Sequence, residues 1–251
     1  MQAMIFAAGL GTRLRPLTDD RPKALVEVAG ATMLERVIRR VVDAGVTDVV
    51  VNIHHFGEKI IDFLDAHDFG VRIVVSDERD RLLDTGGGVV KARQFFSGKE
   101  PVLLHNADIL TDFDIREMLD AHVSTGADAT ILVAPRATSR YFLFDADNRL
   151  QGWTNTVTGE VRPPSLADAV AGLRQLAFGG VHIVSPSIID RLVSYSRSLP
   201  AEMNGKFSIT PFYVDVCRQL CVKAYQPRRP YRWHDVGKLE SLAEASREFK
   251  E

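Results

Sequence analysis

The sequence predicts an α/β fold with a mixed, mostly parallel central sheet and helices on both of its faces. Three observations carry that expectation. Short apolar runs alternate with amphipathic stretches from the first residue, as they do where buried parallel strands are joined by crossover helices. In the second half, two strand-like runs flank Asp147-Asn148 as a hairpin would, which predicts a smaller antiparallel portion. The composition, 251 residues with 45% hydrophobic, 25% charged, 18 Gly and 11 Pro, is that of an ordinary globular chain. A chain of this length buries roughly three quarters of its unfolded surface and needs neither staples nor metals for stability.

The elements follow in order. Ala3 to Ala7 reads as a first strand. Thr32 opens a segment whose Leu34, Val37, Ile38, Val41 and Val42 recur at helical spacing until Gly45 closes it. Strands at 48–53 and 71–75 bracket a helix at 57–66, and a helix at 89–96 is expected to follow the glycines at 86–88. Next come a strand at 101–105, a helix at 113–124 and a strand at 129–134. The hairpin pairs 141–144 with 149–153, and the Pro-bearing stretch 154–168 reads as a surface loop or flap. The last third predicts strands at 176–184, 222–226 and 232–236, and helices at 187–193, 209–219 and 238–249. No internal repeat or composition break appears, so one domain spanning 1–251 is expected.

With 31 basic against 33 acidic residues and a net charge of −2, the chain offers no global field for nucleic acid or anionic lipid, and neither is expected as a partner. Cys217 and Cys221 read as packing residues; a bridge within one helical turn is awkward and no second Cys/His pair completes a zinc site. His54, His55, His105 and His234 likewise lack zinc spacing and read as polar lining or partly buried side chains. The apolar opening MQAMIFAAG lacks the basic leader of a secretory signal, and a cytoplasmic chain is expected.

Chemistry concentrates where strands end. In Ala7-Ala8-Gly9-Leu10-Gly11-Thr12-Arg13-Leu14-Arg15-Pro16, two glycines let the backbone approach a ligand and present N–H groups to an anion. The segment is not a dinucleotide fingerprint, because Leu14 stands at the third glycine position, and no Gly-Lys-Ser/Thr follows to make a Walker loop. It carries cations instead. Arg13 and, shortly after, Lys23 suit a triphosphate, since a guanidinium clasps two oxygens and an ammonium acts as a compact charge. Arg15 and Arg21 read as solvated. Gly86-Gly87-Gly88 needs a reason for its backbone entropy: either a tight helix entry or a bare wall for a base or ribose. Asp108 and Asp235 each follow a short strand and, though remote in sequence, suit a shared Mg²⁺, with N-capping as the plainer alternative. Asp112 and Asp114 read as caps.

Taken together, the segments Ala7 to Thr18, Pro22-Lys23-Ala24-Leu25, Thr85 to Gly88, Asn106-Ala107-Asp108, Gly179-Gly180-Val181-His182 and Trp233 to Gly237 resemble the sugar-1-phosphate nucleotidyltransferases, or sugar-nucleotide pyrophosphorylases. The likeness is strongest to compact bacterial members such as N-acetylmuramate 1-phosphate uridylyltransferases and short mannose-1-phosphate guanylyltransferases. It implies a Rossmann-like domain with a nucleotide-binding part at about 1–125 and a sugar-binding part at about 126–230. It also implies Mg²⁺-dependent transfer of a nucleotidyl group from a nucleoside triphosphate to a sugar 1-phosphate, UTP being favoured and GTP next. Arg13 and Lys23 would serve catalysis, with Ala8, Gly9, Gly11, Thr12, Gly86 and Gly87 holding the nucleotide. Asp108 and Asp235 would hold the metal and Gly180 the sugar; Asn155 and Lys206 are further sugar-binding candidates from their position in the chain, outside any family motif. Family members usually have glycine where this chain has Ala107. The rival reading, a silent sugar-nucleotide-binding subunit of the same fold, is opposed by the joint presence of Arg13, Lys23, Asp108 and Asp235.

Overall fold

The computed structural model describes residues 1–134 and 136–250. Its first half runs β1 (Gln2–Phe6), a small hairpin β2 (Glu27–Val28) and β3 (Ala31–Thr32), α1 (Met33–Asp43), β4 (Asp48–Ile53), α2 (Gly57–Asp65), β5 (Arg72–Asp77), α3 (Asp84–Ala92), β6 (Val102–Asn106), β7 (Ile109–Thr111) and α4 (Ile115–Thr125). The second half runs β8 (Ala129–Ala134), β9 (Arg140–Phe144), β10 (Leu150–Asn155), β11 (Glu160–Arg162), β12 (Arg174–Val184), α5 (Pro186–Ser198), α6 (Ile209–Val216), β13 (Val222–Tyr225), β14 (Trp233–Asp235) and α7 (Leu239–Glu248).

Ten strands form one sheet. β5, β4, β1 and β6 lie side by side and parallel, with β1 in the middle. β12 then pairs antiparallel with β6 and is long enough to fork: its far end joins β8, which pairs parallel with β13, and its near end joins β9. β9, β10 and β11 continue as an antiparallel meander. The two-residue side-chain period of a strand divides the core between the faces. Ala3 and Ile5 of β1 pack with Val49 and Val51 under α1, α2, α4 and α7, whereas Met4 and Val50 face α3, α5 and α6. The expected α/β architecture with helices on both faces is thus present. No helix among the described residues is long and apolar enough to cross a membrane.

Local chemistry accounts for most boundaries. Thr32 caps α1 by accepting from the Glu35 N–H at 3.1 Å, and Asp114 caps α4 by accepting from Arg116 at 2.8 Å. Three expectations need correction. α3 begins at Asp84, so the three glycines lie inside its first turns rather than before it. The predicted flap at 154–168 contains β11, and a run of 3₁₀ helix follows at Pro164–Gly172. The third is Asp112, which caps nothing: its carboxylate takes the Arg232 backbone N–H at 2.6 Å and Nε at 2.7 Å. Cys217 caps the end of α6 and, like Cys221, is a free thiol.

Three histidines are buried in or beside this sheet. Burial pushes the His105 and His122 imidazoles down to about 4 and His182 down to about 3, the last also feeling His105. His182 Nδ1 lies 2.6 Å from the Tyr213 hydroxyl, and His122 sits between Thr130 and Ser185. In the unfolded chain each titrates near pH ~6.5. Between that pH and the depressed folded values the unfolded state therefore binds more protons, and stability falls as pH falls, by up to about 1.4 kcal/mol per histidine per pH unit. Glu78, whose carboxyl burial raises, contributes in the opposite sense. Thermal unfolding followed by circular dichroism is expected to show a midpoint level above pH ~7 that drops below about pH 6.5. His122→Gln should flatten that drop; an unchanged slope would remove His122 from the account.

Candidate active site

The loop that leaves β1 is shaped by one residue in the left-handed region. Gly11 has φ +66°, and a Cβ there would meet Lys23 Cβ at 2.9 Å and Thr18 Cγ2 at 3.1 Å. Its carbonyl accepts from Thr18 Oγ1 at 2.9 Å and from the Leu14 N–H at 3.0 Å, which turns Thr12–Leu14 into a 3₁₀ turn with Leu14 buried. Only glycine tolerates both the backbone angle and the crowding. Arg13 is left exposed on this turn, and Lys23 packs against it at Gly11.

A cleft of about 440 Å³ opens at the C-terminal edge of β1 and β6, where open α/β sheets receive ligands. Its lining includes Ala8, Gly9, Gly11, Thr12, Arg13, Lys23 and Asp108, together with Asp84, Thr85 and Asn106. Lys23 Nζ donates to Asp108 Oδ2 at 2.5 Å, both side chains being mostly buried. Asp108 begins the turn into β7, which pairs antiparallel with β14 so that Asp235 lies opposite Ile109, and the Val236 N–H donates to the Asp108 carbonyl at 2.9 Å. Gly237 completes the cluster. A Cβ built there would lie 3.0 Å from both Arg13 Nη2 and Asp235 Oδ1. Two cations and two carboxylates separated by up to 222 positions thus meet at one rim of the cleft. Ala107, where glycine is usual in the resembled family, lines the cleft and is 3% exposed.

The remaining candidates fall elsewhere. Gly86 and Gly87 do not line the cleft: their N–H groups donate to the Phe207 carbonyl at 2.9 and 3.2 Å, and a Cβ on them would strike the Phe207 ring at 2.3 Å and the Gly205 carbonyl at 2.2 Å. They serve close packing of α3 on the 205–207 segment, the tighter of the two alternatives the sequence left open. Gly180, at φ +75°, packs its backbone against Ile109 and Asn106. Asn155 lines a second cavity, and Lys206 is exposed beyond both.

Sequence reasoning missed the acceptor that fixes the backbone leaving β1. Asn52, near the end of β4, accepts from the Ala7 and Ala8 N–H groups at 2.8 and 3.3 Å through Oδ1 and donates to Glu78 Oε1 at 2.8 Å. Glu78, 0% exposed, also accepts from the Leu83 N–H at 3.1 Å, so one buried carboxylate links the loop after β1 to the entry of α3. Burial raises the Glu78 carboxyl, with the Asn52 bond opposing the rise. A polar residue inside the run Val-Val-Val-Asn-Ile was the available signal.

A sequence model described as nucleotidyl transferase matches residues 2–251. The chain is 37% identical over 193 residues to a protein of Caulobacter vibrioides named N-acetylmuramate alpha-1-phosphate uridylyltransferase, covering 74% of this chain and 76% of that one. A Neisseria meningitidis protein of the same name is 32% identical over 249 residues, 98% of this chain and 96% of its own. A probable mannose-1-phosphate guanylyltransferase of Oryza sativa is 29% identical over 230 residues, 86% of this chain and 61% of the relative. Among solved structures, a putative glucose-1-phosphate thymidylyltransferase from Bacillus anthracis superposes with a TM-score of 0.79 at 18% identity, covering 98% of this chain and 94% of that one. At that identity the likeness concerns the fold.

Removing the Asn52 amide strands two buried N–H donors, each costing about 1–3 kcal/mol. Asn52→Ala is expected to lower the thermal midpoint and to raise the nucleotide KM about tenfold, the kinetic counterpart of about 1.4 kcal/mol. Steady-state kinetics together with thermal melting checks this, and a variant with wild-type KM would show that Asn52 does not order the loop.

Proposed function

Since the chain belongs to the nucleotidyl transferase family, we propose that this enzyme transfers the nucleotidyl group of a nucleoside triphosphate to a sugar 1-phosphate, releasing pyrophosphate. The observation that carries the proposal is the meeting of Arg13, Lys23, Asp108 and Asp235 at the strand-end cleft. In the reaction a phosphate oxygen of the sugar 1-phosphate attacks the α-phosphorus in line. The new P–O bond forms as the bond to the β-phosphate breaks, and its electron pair leaves with pyrophosphate. No side-chain nucleophile is needed, so positioning and charge neutralisation supply the rate. The backbone at Ala8, Gly9, Gly11 and Thr12 would seat the triphosphate. Arg13 would hold the departing pyrophosphate, and Lys23 would exchange its carboxylate partner for phosphate oxygens.

Among the described residues no group of three or more His, Cys, Asp or Glu side chains could enclose a cation. Asp108 and Asp235, brought to neighbouring backbone positions by the β7–β14 pairing, are hard oxygen donors that would form an incomplete shell, which fits Mg²⁺ completed by water and phosphate. Asp108 and Asp235 would hold it, and when bound it would neutralise charge on the phosphates. UTP is the favoured nucleotidyl donor, with GTP next, because two relatives spanning most of this chain are named uridylyltransferases. The same names favour N-acetylmuramate 1-phosphate as the acceptor. The free thiols Cys217 and Cys221 suit the reducing cytoplasm, the compartment we assign.

Pyrophosphate release measured with each of four nucleoside triphosphates against several sugar 1-phosphates is expected to select UTP and to cease on chelation of divalent cations. Arg13→Ala and Lys23→Ala should each lower kcat about 10²–10³-fold, the range for losing one preorganised charge-stabilising contact. Full activity of Asp108→Asn, or turnover in the presence of chelator, would overturn the metal assignment.

A further inference from the structure

The strand-end cleft has a second wall to which the transfer reaction gives no role. The cationic wall is anchored on the α1 face of the sheet. Leu14 and Ala24, next in the chain to Arg13 and Lys23, are buried there with Ile109 and Val236, next to Asp108 and Asp235. The other wall is the entry of α3, where Leu82, Asp84 and Thr85 line the cleft. It is anchored on the opposite face through Val89, Phe207 and Ile209. Asp84 therefore puts an exposed carboxylate on the wall away from Arg13 and Lys23, and among the described residues it pairs with no cation.

The backbone of Asp84 is held where few residues go. Its φ is +60°, in the left-handed region that glycine enters freely and that aspartate tolerates better than most side chains. Both neighbours are pinned. The Leu83 N–H donates to Glu78 Oε2 at 3.1 Å, and the Leu83 carbonyl accepts from the Phe207 N–H at 3.1 Å. On the other side Thr85 Oγ1 accepts from the Ile209 N–H at 2.9 Å. Strain that the surroundings enforce in this way, at the edge of a cleft, points to a use for the side chain. The Thr85 N–H donates to Asp84 Oδ1 at 2.6 Å, which orients the carboxylate and leaves Oδ2 without a hydrogen bond among the described residues.

An ionised carboxylate only accepts hydrogen bonds, and it repels phosphate oxygens. This wall thus suits a neutral, donor-bearing part of a nucleoside triphosphate, which is the nucleoside. Glu78 ties the two together: the carboxylate that holds Leu83 also binds Asn52, the acceptor for the Ala7 and Ala8 N–H groups, so the backbone proposed to seat the nucleotide and the Asp84 wall form one bonded unit.

Resting on the reading above, we propose that Asp84 is a specificity residue for the nucleoside, its Oδ2 accepting from a ribose hydroxyl or from the ring N–H of the base. The test compares kcat/KM of the full-length chain for UTP and for its 2′-deoxy, 3′-deoxy and N3-methyl forms, with one sugar 1-phosphate that supports turnover; if GTP is the donor, its corresponding deoxy and N1-methyl forms serve. The wild type is expected to disfavour at least one analogue tenfold or more, because a site built to accept a hydrogen bond rejects a ligand that lacks the donor. Asp84→Gly suits the backbone angle, and Asp84→Asn keeps the bulk while presenting an amide in place of the free oxygen. Both should cut that discrimination to about threefold or less, through a raised KM for the parent triphosphate and with the KM of the sugar 1-phosphate unchanged. The analogue affected identifies the donor as hydroxyl or ring N–H, and a merely steric effect survives in Asp84→Asn. Thermal melting separates an unfolded variant from a folded one, and the wild-type comparison stands without either variant. A wild type indifferent to all three analogues, or discrimination unchanged in Asp84→Asn, overturns the proposal while leaving nucleotidyl transfer intact. Absence of pyrophosphate release with any triphosphate and sugar 1-phosphate would instead sink the underlying reading, and this proposal with it.

Discussion

Three residues of antiparallel pairing, β7 against β14, hold this site together. Without that short ladder Asp235 would have no fixed relation to Asp108, Gly237 would not stand between Arg13 and Asp235, and Trp233 would not underlie Arg136. A ladder this short joining segments so distant in sequence is marginal by itself, because closing the long intervening loop is entropically costly. Its surroundings make up the difference. Ile109, Leu110 and Val236 are buried in the main core, and the Asp112–Arg232 ion pair extends the register one residue further, with the Asp112 N–H also reaching the Arg232 carbonyl at 3.3 Å. Asp112 is thus a clamp on the ladder, which explains why its position just before α4 misleads a reading based on capping.

The electrostatics of the cleft follow from the same geometry. Lys23 and Asp108 are paired in a partly enclosed position where neither has much water, and an ion pair of that kind contributes little net stability. Its value lies in preorganisation. The ammonium is already desolvated and aimed at the place where phosphate charge would arrive, so little reorganisation accompanies binding. Behind it, Glu78 and Asn52 do for the backbone what the ion pair does for the side chains: they hold the Ala7 and Ala8 N–H groups in one orientation through a buried, fully bonded chain.

The central sheet and its flanking helices were legible in the sequence because they are local: buried parallel strands are continuous apolar runs, and α1 and α4 carry their caps in Thr32 and Asp114. Arg13, Lys23 and Asp108 were legible for a related reason, each lying just past a strand end. Illegible were features decided by partners far along the chain. Gly86 and Gly87 look like a ligand wall until the 205–207 segment is seen to occupy their surface. The β11 strand and the 3₁₀ run after it are amphipathic neither as helix nor as sheet, so periodicity is silent there. Asn52 and Glu78 are ordinary polar letters whose meaning exists only when β4, β5 and the loop after β1 are adjacent.

That contrast extends to specificity. The strand-end cleft is built from backbone N–H groups and glycine turns whose positions are set by β1, β4 and β6, so anything that preserves the sheet preserves them. The second cavity is built from side chains on β9, β10, β11, β12 and α6, beyond the Gly179-Gly180 irregularity where β12 shifts register against β8. Arg136 and Asn155 can be replaced without disturbing a single ladder of the parallel sheet, because neither side chain lies in the paired core between β5 and β6. The two cavities are therefore built differently in this fold: the strand-end cleft is fixed by topology, the second by a handful of side chains.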